Sequence, residues 1–279
     1  MPASRFEVRF DNAVLAGESD GFGLPVVFLH AGVADRRMWS PQMASAAAAG
    51  FHVIAYDRRG FGETQSPDEP FSHLTDLEAV LDQLGVNAAV LVGASTGGAL
   101  AIDFALEYPD RTIGLVLIGT AIGGAPEAEL PEEAEVLLDA RAYAVERRQW
   151  GSVARIDAHL WLDGPSGGEG RVAGEARDLF IDMDRQALQK PALSMQEEPE
   201  PAIDNIESIT APVLLVSGEL DFPHVLERQE ELSERLENAF ALTLDDTAHL
   251  PSFERPEQFD PVLLEFLEAL AGEGEEADG

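Results

Sequence analysis

A chain of 279 residues, 45% of them hydrophobic, is long enough for one large α/β domain with an inserted subdomain and a sizeable core. Its 52 acidic and 18 basic residues leave a net charge of −34, which excludes a basic nucleic-acid-binding surface. It has no cysteine, hence no disulfide, thiol nucleophile or thiolate metal site, and no apolar run of the ~18 residues that would cross a membrane.

The N-terminus lacks the apolar core of a signal peptide, so a cytoplasmic location is expected. Residues 6–10 alternate apolar and polar and predict a half-buried strand, paired as a hairpin with 13–17 through a turn at Asp11-Asn12. The continuous apolar run 26–30 predicts a strand buried on both faces. A helix over 35–49 ends at Gly50, a strand follows over 52–57, and a helix over 74–84 ends at Gly85. Residues 88–92 predict the next buried strand, 99–106 a buried helix closed by Pro109, and 113–118 another strand. This alternation predicts a mostly parallel, twisted sheet with helices on both faces.

From 121 to 205 the strands stop. Helical patterns over 131–149, 152–162 and 172–189 predict a helical cap, with Gly164-Pro165-Ser166-Gly167-Gly168 separating the last two. Strands resume over 212–217 and 240–244, and a helix over 256–270 ends the fold. The expected division is a core of 1–120 and 206–271, the cap between them, and a disordered acidic tail of 272–279.

The strand of 88–92 runs straight into Gly93-Ala94-Ser95-Thr96-Gly97. A tight turn between strand and helix lifts a serine Oγ above the sheet end, and glycines on either side avoid a collision where strand and helix meet. Ser95 is thus the candidate nucleophile. A serine hydroxyl needs a base, and the base needs an acid to orient it. Asp221, in Gly218-Glu219-Leu220-Asp221 past the strand of 212–217, is the candidate acid, with Glu219 its rival. His249, between the last strand and the last helix, is the candidate base, and Ser-Asp-His is the chain order this topology requires. Among the other five histidines, His52 and His73 read as structural, His30 as shaping backbone near the site, and His159 and His224 as pocket candidates. Arg36, Arg37, Arg58 and Arg59 read first as surface charge; one facing the pocket would favour a carboxylate-bearing substrate.

At these residues the chain resembles the α/β-hydrolases over nearly its full length. The segment from Phe28 to Trp39 is similar to the oxyanion loop of small aryl esterases and of 3-oxoadipate enol-lactonase-like hydrolases. Asp57-Arg58-Arg59-Gly60-Phe61-Gly62 resembles the family's Asp-x-Arg-Gly-x-Gly turn, and Ala248-His249-Leu250-Pro251 with Glu254-Arg255-Pro256 its histidine segment. The resemblance implies an α/β-hydrolase fold and an oxyanion hole made by the backbone N–H groups of Gly32 and Thr96. The family's His-Gly is His30-Ala31 here.

The expected function is hydrolysis of carboxylic esters or lactones through an acyl-enzyme, with no metal or organic cofactor. Trp39, Met38 and Trp161 are expected to line the pocket mouth. The partner is a small-molecule ester or lactone; no nucleic acid or membrane is expected, and a homo-oligomer is left open. C–C bond hydrolysis and perhydrolysis use the same triad and stand as alternatives, with a non-catalytic receptor a minor one. The dispersed acid excess, with Lys190 the only lysine, resembles proteins of salt-accumulating halophiles and predicts poor stability in dilute buffer.

Overall fold

The computed structural model describes residues 3–277, with side chains through Gly272. An eight-stranded sheet runs in the order β1-β2-β4-β3-β5-β6-β7-β8. The hairpin of β1 (Ser4–Phe10) and β2 (Ala13–Asp20) pairs antiparallel with its neighbours. Strands β3 (Pro25–Leu29), β4 (His52–Tyr56), β5 (Ala89–Ala94), β6 (Thr112–Ile118), β7 (Val213–Gly218) and β8 (Ala239–Leu244) pair in parallel. The mostly parallel sheet expected from the alternation of elements is therefore present.

The period of two along each strand sorts side chains into two cores. Val26, Phe28, Val90, Val92 and Val116 pack with Met43 of α1 (Ser40–Ala48) and with Phe259 and Leu263 of α9 (Pro256–Ala277). Val27, Leu29, Leu91 and Leu115 face the other way. They pack with Leu77 and Leu81 of α2 (His73–Leu84), Phe104 of α3 (Thr96–Glu107) and Leu232 of α7 (Pro223–Arg235). After β3 the chain crosses to β4 on one side, and after β4 and α2 it returns to β5 on the other, so the loops following β3 and β5 part at a topological switch point. Ligands bind at such crevices in open α/β sheets.

Two local expectations need correction. The helix over 35–49 is a 3-10 turn, Arg36–Trp39, followed by α1. Pro41 has no N–H to give to the carbonyl of Arg37, which accepts the Ser40 hydroxyl at 2.9 Å instead. The last helix does not stop at 270 but continues to Ala277, through most of the tail expected to be disordered. Glu and Ala are strong helix formers, and extending an anchored helix carries no nucleation cost. Residues 278–279 of that tail lie outside the described residues.

Between β6 and β7 the chain forms α4 (Glu132–Glu146), α5 (Trp150–Ala158) and α6 (Glu175–Leu188), the helical excursion read as a cap. Helix α5 continues as one wide π turn, His159–Asp163, which carries Trp161. No helix among the described residues is long and apolar enough to cross a membrane.

Candidate active site

Ser95 follows β5 with φ 52° and ψ −118°, a conformation that costs a non-glycine residue on the order of 1–3 kcal/mol. The surroundings hold it there: Ser95 N–H donates to Ile118 O at 2.8 Å, and its carbonyl accepts from Gly98 N–H and Ala99 N–H at 3.0 and 3.1 Å. A Cβ on Gly93 would stand 2.3 Å from the carbonyl oxygen of Gly97, and one on Gly97 would stand 2.2 Å from that of Leu29. The turn thus requires both glycines, Gly93 because strand and helix meet there, as expected, and Gly97 because the neighbouring strand β3 ends against it.

His249 lies between β8 and the short helix α8 (Pro251–Glu254), and its Nδ1 stands 3.0 Å from each carboxylate oxygen of Asp221. Both residues are buried. Nδ1 therefore carries the proton, which leaves Nε2 able to accept one. Asp221 Oδ1 also accepts Phe222 N–H at 2.8 Å. Glu219 is exposed and instead accepts Asp246 N–H at 3.2 Å, so of the two acids only Asp221 meets the imidazole. Gly119, just past β6 with φ 51°, leaves room for the histidine: a Cβ there would stand 3.0 Å from His249 Nδ1. Ser95 N–H is bonded to Ile118, the last residue of β6, and Gly119, the next residue, lies against His249, so both the elbow and the imidazole are placed at the end of one strand.

Glu254 steadies the histidine loop, a role the sequence reading missed. Its carboxylate accepts Ala248 N–H at 3.0 Å and Leu250 N–H at 3.2 Å, the residues on either side of His249. Arg171, from the helical excursion, bonds to Glu254 as well and reaches Asp246 O at 2.7 Å. The only signal in the sequence was the place of Glu254 in the histidine segment.

On the other side of the cleft, Gly32 and Thr96 are neighbours: a Cβ on Gly32 would be 3.2 Å from Thr96 Oγ1. The direction of the Gly32 N–H follows from a short chain of bonds. Arg58 N–H donates to His30 Nε2 at 3.0 Å, so the proton of this imidazole is on Nδ1, which donates to Ala31 O at 2.8 Å. In a trans peptide the C=O and the following N–H point oppositely. Pinning Ala31 O therefore turns Gly32 N–H away from the histidine. Burial first, and the Arg58 charge second, push His30 well below the usual histidine range and keep it neutral. Ala31 is fully buried and fits where the family has glycine.

Two cavities flank this pair. One of about 390 Å³ is lined by Gly32, Phe61, Arg141, Asp184, Leu188 and Lys190, the other of about 210 Å³ by Arg58, His73, Thr96, Asp103 and Glu198. Trp161 overhangs the histidine, its ring 4.8 Å from that of His249 and 5.0 Å from that of Phe222. Trp39 does not reach the mouth. It is fully buried against Phe28 at 5.3 Å, and Met38 is buried beside it with Sδ accepting Ala31 N–H at 3.4 Å. Both side chains were expected at the pocket mouth and instead pack into the apolar core beside the sheet.

His52 bonds to Ser19, and His159 to Gly167 O. His159 and His224 line two further grooves of about 490 Å³ each; these, unlike the two cavities above, include neither Gly32 nor Thr96, and none of the four is lined by Ser95 or His249. Arg36, Arg58 and Arg59 are buried, contrary to the surface reading. Arg36 bonds to Asp57, Glu18 and Glu63, Arg59 to Asp76, and half-buried Arg37 to Asp35 and Asp182. Among the described residues no three His, Asp or Glu side chains gather as a metal site.

The sequence profile of the alpha/beta hydrolase family matches residues 26–262, and the chain belongs to that family. A thermophilic esterase from Thermogutta terrifontis superposes with a TM-score of 0.78 at 27% identity, covering 96% of this chain and 100% of that one. An N-acyl homoserine lactone degrading enzyme superposes with a TM-score of 0.72 at 26% identity, covering 94% and 100%. In sequence, the 2-hydroxy-6-oxo-6-phenylhexa-2,4-dienoate hydrolase of Burkholderia cepacia is 29% identical over 279 aligned positions, covering 95% of this chain and 92% of its own.

Proposed function

We propose that this alpha/beta hydrolase cleaves carboxylic esters or lactones through Ser95, His249 and Asp221. The observation that supports this most is the combination of the left-handed Ser95 backbone, φ 52°, with an imidazole whose Nδ1 is held 3.0 Å from Asp221. The similarity to an esterase and to a lactone-degrading enzyme, both above 25% identity, supports the bond type.

His249 Nε2 takes the Ser95 proton as Oγ bonds to the substrate carbonyl carbon. The carbonyl oxygen becomes an oxyanion and accepts the N–H groups of Gly32 and Thr96, donors worth about 3 kcal/mol each. Collapse breaks the C–O bond, and the alkoxide leaves with the proton from His249, as an alcohol or as the tethered hydroxyl of an opened lactone. Water then gives a proton to His249 and attacks the acyl-enzyme, and Ser95 leaves and recovers that proton. The released acid ionises. Asp221 keeps the imidazole in its Nδ1–H tautomer and balances the imidazolium charge throughout.

C–C hydrolysis is the second reading, favoured by the similarity to the Burkholderia cepacia hydrolase. Hydrolysis of p-nitrophenyl acetate in molar salt, with wild type beside Ser95→Ala, tests the first reading. Turnover lost in a folded Ser95→Ala protein is the expected result. Turnover retained in that variant would overturn the assignment of Ser95.

A further inference from the structure

Arg58 stands apart from the other buried arginines. It is 4% exposed, yet its side chain meets no carboxylate among the described residues, whereas Arg36 and Arg59 each bond to at least one. In a chain with 52 acids and 18 bases, a buried cation left without an acid is not an accident of composition. Its partners are neutral oxygens. Nη2 donates to His30 O at 2.8 Å and to Thr96 Oγ1 at 2.9 Å, and the buried Nε has no partner. The guanidinium also rests 5.2 Å from the centre of the Phe61 ring.

Those two oxygens belong to the two loops that carry the oxyanion donors. His30 lies two residues before Gly32, at the end of β3, and Thr96 itself follows Ser95. One guanidinium nitrogen thus ties the loop after β3 to the first turn of α3. The charge is not neutralised there. Burial pushes Arg58 down to about 10, so it remains a cation at neutral pH. Its field reaches its neighbours: burial first, and the Arg58 charge second, push His73 down to about 3.

We propose that Arg58 is a positioning residue for the oxyanion hole, which sets the separation of the Gly32 and Thr96 N–H groups and places an uncompensated positive charge behind them. This rests on the serine-hydrolase reading above. A tetrahedral intermediate concentrates negative charge on one oxygen, whereas the ground-state ester carries little. The Arg58 charge and the spacing it enforces therefore act on the transition state more than on substrate binding. An arginine that only held the fold together would not discriminate between the two.

The test uses the full chain with Arg58→Met, which keeps the packing volume and removes the charge and the donors, and Arg58→Lys, which keeps the charge. Ser95→Ala is the control. Each is assayed with p-nitrophenyl acetate, and with phenylboronic acid as a probe that becomes a tetrahedral anion on a serine. In Arg58→Met, kcat is expected to fall about 10- to 100-fold with KM within about twofold. Phenylboronic acid affinity should fall by a similar factor, with an unfolding temperature no lower than wild type. Arg58→Lys should recover part of kcat. Wild-type kcat in folded Arg58→Met, a change confined to KM, or loss of the folded state in both Arg58 variants would each overturn the proposal. Hydrolysis surviving in Ser95→Ala would instead overturn the serine-hydrolase reading, and this inference with it.

Discussion

Along the sheet, the elements that place Ser95 and Asp221 are held by apolar side chains: β5 and β7 are buried at every position, and α3 buries Leu100, Ile102 and Phe104. The helical excursion buries Leu160, Leu162, Phe180 and Met183 but adds ion pairs that β5 and β7 themselves lack among the described residues. Arg141 of α4 bonds to Asp157 of α5 at 2.5 Å, Arg177 of α6 bonds to Asp163 at 2.8 Å, and Arg171 reaches over to Glu254. Helix α4 buries only Ala134 and Ala144. Apolar packing is insensitive to pH, whereas an ion pair is lost when its carboxylate is protonated. The sheet is thus held by contacts that do not respond to pH, while the helical excursion adds contacts that do.

The widest separation between the two sides comes from the acids. Asp221→Asn should lower kcat about 10⁴-fold by letting His249 take the wrong tautomer, while Glu219→Gln in the same loop should leave it near wild type. Steady-state kinetics of the two variants decides this, and equal losses would dissolve the distinction between them.

The tryptophans come next. Trp39→Ala removes a fully buried ring from the sheet core and should cost about 3–5 kcal/mol in urea unfolding. Trp161→Ala should cost less than half of that and change KM or substrate preference instead, because its ring overhangs His249. The sequence could not separate these two residues. Both stand in helical patterns near candidate site loops, and only the tertiary arrangement decides which face meets the sheet.

The same limit explains what else was legible. A buried strand, a glycine-flanked serine and the order Ser95, Asp221, His249 are local or topological signals, and they can be read from one chain. The burial of Arg36, Arg58 and Arg59 is not local, since it depends on acids 17 or more positions away, such as Glu18 for Arg36 and Asp76 for Arg59, or on carbonyls brought in by another loop. Glu254 was visible only as part of a motif, because its bonds to backbone N–H groups around His249 leave no periodic trace. The 3-10 start of the first helical segment follows from Pro41, a signal that was present and not used.

Salt sharpens the comparison further. With a net charge of −34, transfer from molar KCl to dilute buffer is expected to lower the unfolding temperature by roughly 10 °C, a few kcal/mol at this chain length. Full thermal stability without added salt would contradict the halophile reading.

The smallest effect is expected at Asp184. Burial first, then the nearby Asp157 charge, push its carboxyl up to about 8. The folded state therefore keeps a proton that the unfolded chain releases near pH 4, so this residue's contribution to stability falls as pH rises from about 4 to about 8 and levels off above. Asp184→Asn should raise the unfolding temperature more at pH 9 than at pH 5. A gain of equal size at both pH values would mean that charge at Asp184 is not what it relieves.

The most direct test of the account is to mix the protein rapidly with excess p-nitrophenyl acetate, follow p-nitrophenol release, and map the trapped acetyl group by peptide mass. The account predicts a burst approaching one equivalent per chain, with the acetyl group on Ser95 alone. A folded protein that shows neither burst nor acetylation, or that carries the acetyl group on another residue, would contradict it.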